Sequence, residues 1–232
     1  MKNSKLNFMI SNLFCAFPLF VTTQLYRDSH LEHHRYLNSD ADPDWSLRKG
    51  LPDWTFPQSK SKVTGILLKQ ISGLMIFHTL GKLYRFGVKN KSSLNKATRI
   101  TRMCFHGVQI FALTYFHLWS FFLLYWLVPY FTVLGALMRL RSLSEHFGLS
   151  WKDELSTSRN IIANPLEEFL ILPHKANYHL VHHLYPSVPF YNLKKLHQVL
   201  KSNENYRNQG GFSRGYLRFN DQSVLAQLSR KD

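Results

Sequence analysis

Two histidine clusters of identical spacing stand out in the 232-residue chain: His30-Leu31-Glu32-His33-His34 and His179-Leu180-Val181-His182-His183. Both read H-x-x-H-H. Residues at i, i+3 and i+4 of a helix share one face, so each cluster can aim three imidazoles at a single point. Imidazole is the commonest metal ligand and suits iron, copper, zinc and nickel. One such cluster could be a set of solvated helix-end histidines. Its recurrence, in a chain with 12 histidines, points to a metal site instead. Zinc hydrolases usually carry H-E-x-x-H with the glutamate as base; here Glu32 directly precedes His33, and the order is wrong. Six or more histidines also exceed the three or four protein ligands of one zinc ion, which argues for two metals.

The segments that must position these histidines are sharply divided by charge. Residues 103–138 contain no Lys, Arg, Asp or Glu, whereas residues 82–102 carry seven basic residues and no acid. A net charge of +15 would suit nucleic acid, but the chain shows no nucleic-acid motif. The apolar block favours a membrane, with the basic face on anionic lipid headgroups. Thirty-six uncharged residues are too many for one span of about 20 residues. They predict a transmembrane hairpin over 103–138, with Pro129 helping to mark a turn or kink. Basic flanks lie before it (Lys96, Arg99, Arg102) and after it (Arg139, Arg141). By the positive-inside rule both flanks are cytoplasmic, which places both histidine clusters on the cytoplasmic side provided that residues 63–81 do not cross.

Elsewhere, residues 8–25 form an apolar stretch of marginal spanning length. Residues 63–81, interrupted by Lys69, Gln70 and His78, read as an amphipathic or membrane-surface helix. Residues 38–62, with Asp40, Asp42, Asp44, Pro43, Pro52 and Pro57, read as a loop or lid. Residues 142–232 read as a soluble module ending in a polar cytoplasmic tail at 199–232, broken at Gly210-Gly211. The opening run resembles a signal peptide, but Asn12 and Pro18 interrupt it and no convincing cleavage site precedes Tyr26. Cys15 and Cys104 form neither a C-x-x-C pair nor a disulfide framework. The expected architecture is therefore an all-α integral membrane protein, one domain over 1–232, with a cytoplasmic histidine-rich helical module. With lipid as the nearest abundant substrate, and with iron able to activate dioxygen where zinc has no redox chemistry, oxidation of an acyl chain is the natural hypothesis.

The residues around the clusters resemble a known family. Tyr26-Arg27-Asp28-Ser29-His30-Leu31-Glu32-His33-His34-Arg35-Tyr36, followed by Asp42-Pro43-Asp44, resembles the second histidine box of the membrane fatty-acid desaturase and hydroxylase superfamily. Asn177-Tyr178-His179-Leu180-Val181-His182-His183-Leu184-Tyr185-Pro186-Ser187-Val188-Pro189, running on to Leu193 and His197, resembles the third. Glu145-His146-Phe147-Gly148 resembles the additional histidine that precedes the third box. The resemblance implies two non-haem iron ions, dioxygen as co-substrate, a membrane lipid or acyl substrate, and an electron donor such as a ferredoxin or a b-type cytochrome. It implies His30, His33, His34, His146, His179, His182 and His183 as the iron ligands. The activity implied is an acyl-lipid or fatty-acid desaturase; a hydroxylase or carotenoid ketolase with the same boxes is the alternative, and a non-catalytic membrane fragment the other.

Asn177, Asp28 and Glu32 are candidates to orient the ligands from behind, as metal-bound histidines require. A turn residue and solvated helix charges are the competing readings of these three. His174 and His197 read as flanking or surface residues, and His78, His106 and His117 as packing or interfacial histidines. Asp42 and Asp44 read as loop caps. The family has a first box, H-x-x-x-H or H-x-x-x-x-H, upstream of the second, and no histidine precedes His30. The expectation is a chain truncated at its N-terminus, with reduced iron occupancy and little activity by itself.

Overall fold

The computed structural model describes residues 3–89, 94–216 and 221–229. Of the basic run at 82–102, Lys91 therefore lies outside the described residues. The α-helices are α1 Ser4–Ser11, α2 Thr23–Tyr36, α3 Pro43–Ser46, α4 Lys60–Ile71, α5 Ile76–Lys89, α6 Lys96–Tyr115, α7 Trp119–Phe122, α8 Gly135–His146, α9 Pro165–Leu170, α10 His179–Leu184, α11 Phe190–Leu200, α12 Glu204–Gln209 and α13 Val224–Ser229. Two short strands, β1 Arg159–Ile161 and β2 Gly211–Ser213, pair in parallel. The chain is mostly helical, as expected, and forms two compact units: Met1–Leu47 with Gly73–Thr132, and Arg48–Ser72 with Val133–Asp232.

A continuous helical stretch, Trp119–His146, is long and apolar enough to cross a membrane. The chain breaks just before it, at Phe116–Leu118, where His117 takes a left-handed φ of 55°. Pro129 does not mark the turn. It lies inside the long helix, flanked by π-helical turns at Leu123–Leu127 and Tyr130–Leu134. Proline lacks an N–H and crowds the carbonyl four residues back; widening the helix on either side accommodates it. Phe121, Leu124 and Tyr125 stand more than half exposed on this helix, as lipid-facing side chains do.

In the first unit, the turn after α1 anchors both neighbours. Asn12 is buried, and its side chain accepts from the Thr23 N–H at 2.9 Å. This is the residue whose polarity argued against a signal peptide. Phe17 is fully buried and packs on Phe105 of α6 with ring centroids 5.5 Å apart. Trp126 Nε1 donates to the Pro18 carbonyl at 3.1 Å, and the Tyr130 hydroxyl to the Leu19 carbonyl at 3.0 Å. The helical path Ser4–Leu19 then bends by 85° into α2. The basic side chains of Lys96 and Arg99 are exposed on α6.

In the second unit, α4 packs on α8. A side chain at Gly135 would press to 2.6 Å from Gln70 Nε2, so glycine permits this approach. Gln70 is accordingly buried. Arg139 is not a solvated flank: it is buried over the Trp54 ring, 4.6 Å from its centroid, and donates to the Asp53 carbonyl at 3.2 Å. A separate core gathers Leu180, Val181, Leu193 and Tyr206. The parallel pairing of β1 with β2 requires Gly211, because a Cβ there would collide with the Ser158 carbonyl.

Candidate metal centre

The first unit builds its histidine trio on a single helix. Thr22, fully buried, caps α2 by accepting from the Leu25 N–H at 3.2 Å. One turn and a half later, His30, His33 and His34 emerge on one side of α2. The His30 and His34 Nε2 atoms stand 3.2 Å apart, and the His30 and His33 ring centroids 6.0 Å apart. His33 is buried; its Nδ1 donates to both carboxylate oxygens of Asp42 at 3.0 Å. That bond places the proton on Nδ1 and leaves Nε2 as a lone-pair donor, the arrangement that raises the basicity of a metal-bound imidazole.

Asp42 is more than the loop cap expected from sequence. It also accepts from the Asn38 N–H at 3.0 Å and the Asp44 N–H at 2.8 Å, and only 1% of its surface is exposed. Burial pushes its carboxyl up, but the bond and charge of His33 together with the two N–H donors outweigh burial and hold it below the usual carboxylate range. The two acids nominated for this role have other surroundings in the structure. The Asp28 carboxylate accepts from Gln24 Nε2 at 2.7 and 2.8 Å, a pairing favoured by their i,i+4 spacing. Glu32 is exposed on the outer side of α2, a helix position pointing away from the His33 ring. The overlooked signal was the D-P-D run after the box: an aspartate preceding proline starts a new turn, and that turn folds Asp42 back onto His33.

The second unit assembles its trio from two helices. His146 ends α8, and His179, His182 and His183 lie on α10. The Nε2 atoms of His146 and His179 approach to 2.9 Å, and those of His179 and His183 to 3.0 Å. The ligand nitrogens of His146, His179 and His183 all lie within 4.8 Å of one another. His182 sits beside them, its ring centroid 5.9 Å from that of His179. Leu180 and Val181, between the histidines, are fully buried in the core. Their burial turns the imidazoles the other way. His146 Nδ1 donates to the Thr157 carbonyl at 3.2 Å, again leaving Nε2 as the donor to a metal. Glu145 Oε1 lies 4.0 Å from His179 Nδ1 while accepting from Arg141 at 2.9 Å.

These donor sets fit a transition-metal ion. Two imidazole nitrogens at about 2.1 Å from one metal, separated by roughly 90–110°, stand about 3.0–3.4 Å apart. The Nε2 separations of 3.2 Å for His30 and His34, 2.9 Å for His146 and His179, and 3.0 Å for His179 and His183 approach that spacing. The donor is all-imidazole, and His33, His146 and His179 are buried.

The remaining polar candidates lie behind the second trio or away from it. Asn177 Nδ2 donates to the Ile161 carbonyl at 3.3 Å and to Glu168 at 3.2 Å, so it braces the approach to α10. His197 is buried in a chain of bonds: Asn160 Nδ2 donates to the Tyr206 hydroxyl at 2.7 Å, and that hydroxyl to His197 Nδ1 at 2.7 Å. Asn160 Oδ1 accepts from the Val181 N–H of α10 at 3.4 Å. Burial, with Lys201 nearby, pushes the His197 imidazole below its ordinary value. His174 is exposed against Phe190, and His106 bonds Gln109 at 3.1 Å.

Comparison with known proteins agrees with this arrangement. The family profile described as "Fatty acid desaturase" matches residues 1–212. The chain is also similar to dihydrorhizobitoxine desaturase of Bradyrhizobium elkanii, with 29% identity over 251 residues, covering 100% of this chain and 69% of the relative.

Proposed function

The chain belongs to the fatty acid desaturase family, and we propose that it is an O2-dependent acyl-lipid or fatty-acid desaturase with a di-iron centre. The observation that carries this reading is the close approach of imidazole Nε2 atoms in each unit, His30 to His34 and His179 to both His146 and His183, with a back-side acceptor on His33 and on His146. The family is membrane-bound and generally iron-dependent, and Trp119–His146 supplies a helix apolar enough to span. In this reading His30, His33, His34, His146, His179, His182 and His183 together hold two irons on the cytoplasmic face. Iron bound there supplies dioxygen activation and the removal of hydrogen from an unactivated C–H bond.

The chain's own residues provide the setting. Asp42 and the Thr157 carbonyl keep the Nδ1 protons of His33 and His146, so that the Nε2 lone pairs stay available. Overall, two neighbouring methylene carbons each lose one hydrogen and gain a double bond between them. Dioxygen is reduced to two waters by those two hydrogens together with two electrons and two protons. The electrons come from a donor of the ferredoxin or b-type cytochrome class, docked on exposed basic side chains, and the basic surface that includes Lys96 and Arg99 rests on anionic headgroups.

A second reading is favoured by the name of the relative: desaturation of a dihydro-compound such as dihydrorhizobitoxine. The deciding experiment supplies the iron-loaded chain in lipid membranes with reductant, oxygen and defined acyl lipids, and analyses products by mass spectrometry. Loss of two hydrogens from the acyl chain is expected. A product that has gained one oxygen instead means a hydroxylase. Turnover of such a dihydro-compound alone favours the second reading, and a chain that takes up no iron refutes the metal reading altogether.

A further inference from the structure

Strand β1 carries the most deeply buried cation among the described residues. Arg159 has no exposed surface, and no carboxylate pairs with it among the described residues. Its Nη1 donates to the Ser144 carbonyl at 2.5 Å and its Nη2 to the Phe147 carbonyl at 3.0 Å. These two carbonyls bracket His146 in the final turn of α8, where helix carbonyls run out of intrahelical partners and the helix dipole is negative. Two residues before Arg159, the Thr157 carbonyl accepts from the His146 ring at 3.2 Å. One residue after it, Asn160 takes the Val181 N–H of α10. A buried charge without an acid partner is costly, and a leucine of similar bulk would fill the same volume. What an apolar side chain cannot do is hold two carbonyls at once, which the forked guanidinium does.

The geometry points to Arg159 as the positioning residue of the His146 ligand: it fixes the end of α8, while Thr157 fixes the ring, so that Nε2 of His146 stands beside His179. The inference rests on the metal reading above. Burial lowers the guanidinium to about 10, so it remains charged at neutral pH.

The test uses the purified full chain in detergent, stripped of metal. Co(II) is titrated against a competing chelator, and the melting of the metal-free protein is followed in parallel. Arg159→Met is expected to weaken the apparent Co(II) dissociation constant by roughly 10–100-fold, the range for groups that orient metal ligands. Arg159→Lys, which can keep one carbonyl but not both, is expected to lose less. Val63→Ala, a packing change at a buried position of α4, is expected to lower the melting temperature and leave Co(II) affinity unchanged. If Arg159→Met melts early yet binds Co(II) as the wild type does, the residue is structural only and the inference fails. If Arg159→Met does not fold, wild-type affinity in Arg159→Lys overturns it. A wild-type chain that binds no Co(II) overturns the metal reading itself, an outcome separate from the other two.

Discussion

The two H-x-x-H-H boxes share a spacing but are held in opposite ways. In the first, the intervening Leu31 and Glu32 are exposed, and α2 is secured at its ends by the Thr22 cap and by Asp42 on His33. In the second, the intervening Leu180 and Val181 are fully buried, and α10 is secured from below by the core and by Asn160. The first box lies whole on one helix of 14 residues. The second needs His146 from a helix 33 residues earlier to meet His179. A box on a long capped helix thus requires few polar latches, whereas a box on six residues of helix depends on what packs beneath it. A helix that short is unstable in isolation.

This contrast can be broken most strongly at Asp42. Asp42→Asn keeps the size of the side chain but removes the charge that faces His33, and is expected to weaken metal affinity by roughly 10–100-fold. A competition titration with Co(II) measures it; an unchanged constant would mean that His33 needs no latch. The same pairing contributes stability above the ordinary carboxylate range, lost as pH falls through the lowered value of Asp42.

A smaller effect is expected at the start of α2. Thr22→Ala removes the cap and should cost about 1 kcal/mol, read as a lower denaturation midpoint. Because the trio lies on the helix's later turns, metal affinity should follow that loss only weakly. A collapse of metal binding in Thr22→Ala would show that the first box depends on cooperative packing after all.

The smallest effect concerns the network beneath α10. The folded state favours neutral His197, since burial and Lys201 lower its affinity for a proton. Below about pH 6.5 the unfolded chain therefore binds the additional proton, and stability rises with pH through that window. The difference in melting temperature between the metal-free wild type and His197→Asn should favour the wild type near neutrality and shrink on acidification. A difference that is flat with pH would mean that folding does not lower the proton affinity of His197.

Several features were readable from residue order because their cause is local. The i, i+3, i+4 spacing puts three imidazoles on one side of a helix wherever that helix goes, and the i,i+4 pairs His30–His34 and His179–His183 stand with their Nε2 atoms 3.2 and 3.0 Å apart. The long apolar stretch was likewise plain, but where it breaks was not. A proline's usual effect suggested Pro129, whereas π-helical turns accommodate it and the chain breaks at Phe116–Leu118. The supporting acid was hard to name for a related reason. Asp28 and Glu32 were nearest in sequence, yet side chains one residue apart on a helix point in different directions, and the loop brings Asp42 to His33 instead.

The sequence by itself determined the repeated H-x-x-H-H spacing, its placement on helices and the membrane-compatible apolar block, because composition and helical period depend only on neighbours along the chain. The tertiary structure alone decided which groups stand behind those histidines. Behind the second box, Thr157, Arg159 and Asn160 act through hydrogen bonds whose 2.5–3.4 Å lengths demand a particular meeting of distant backbone segments. No short-range pattern records such a meeting, since it follows from how buried Leu180, Val181 and Tyr206 pack and from where β1 is drawn in beside them.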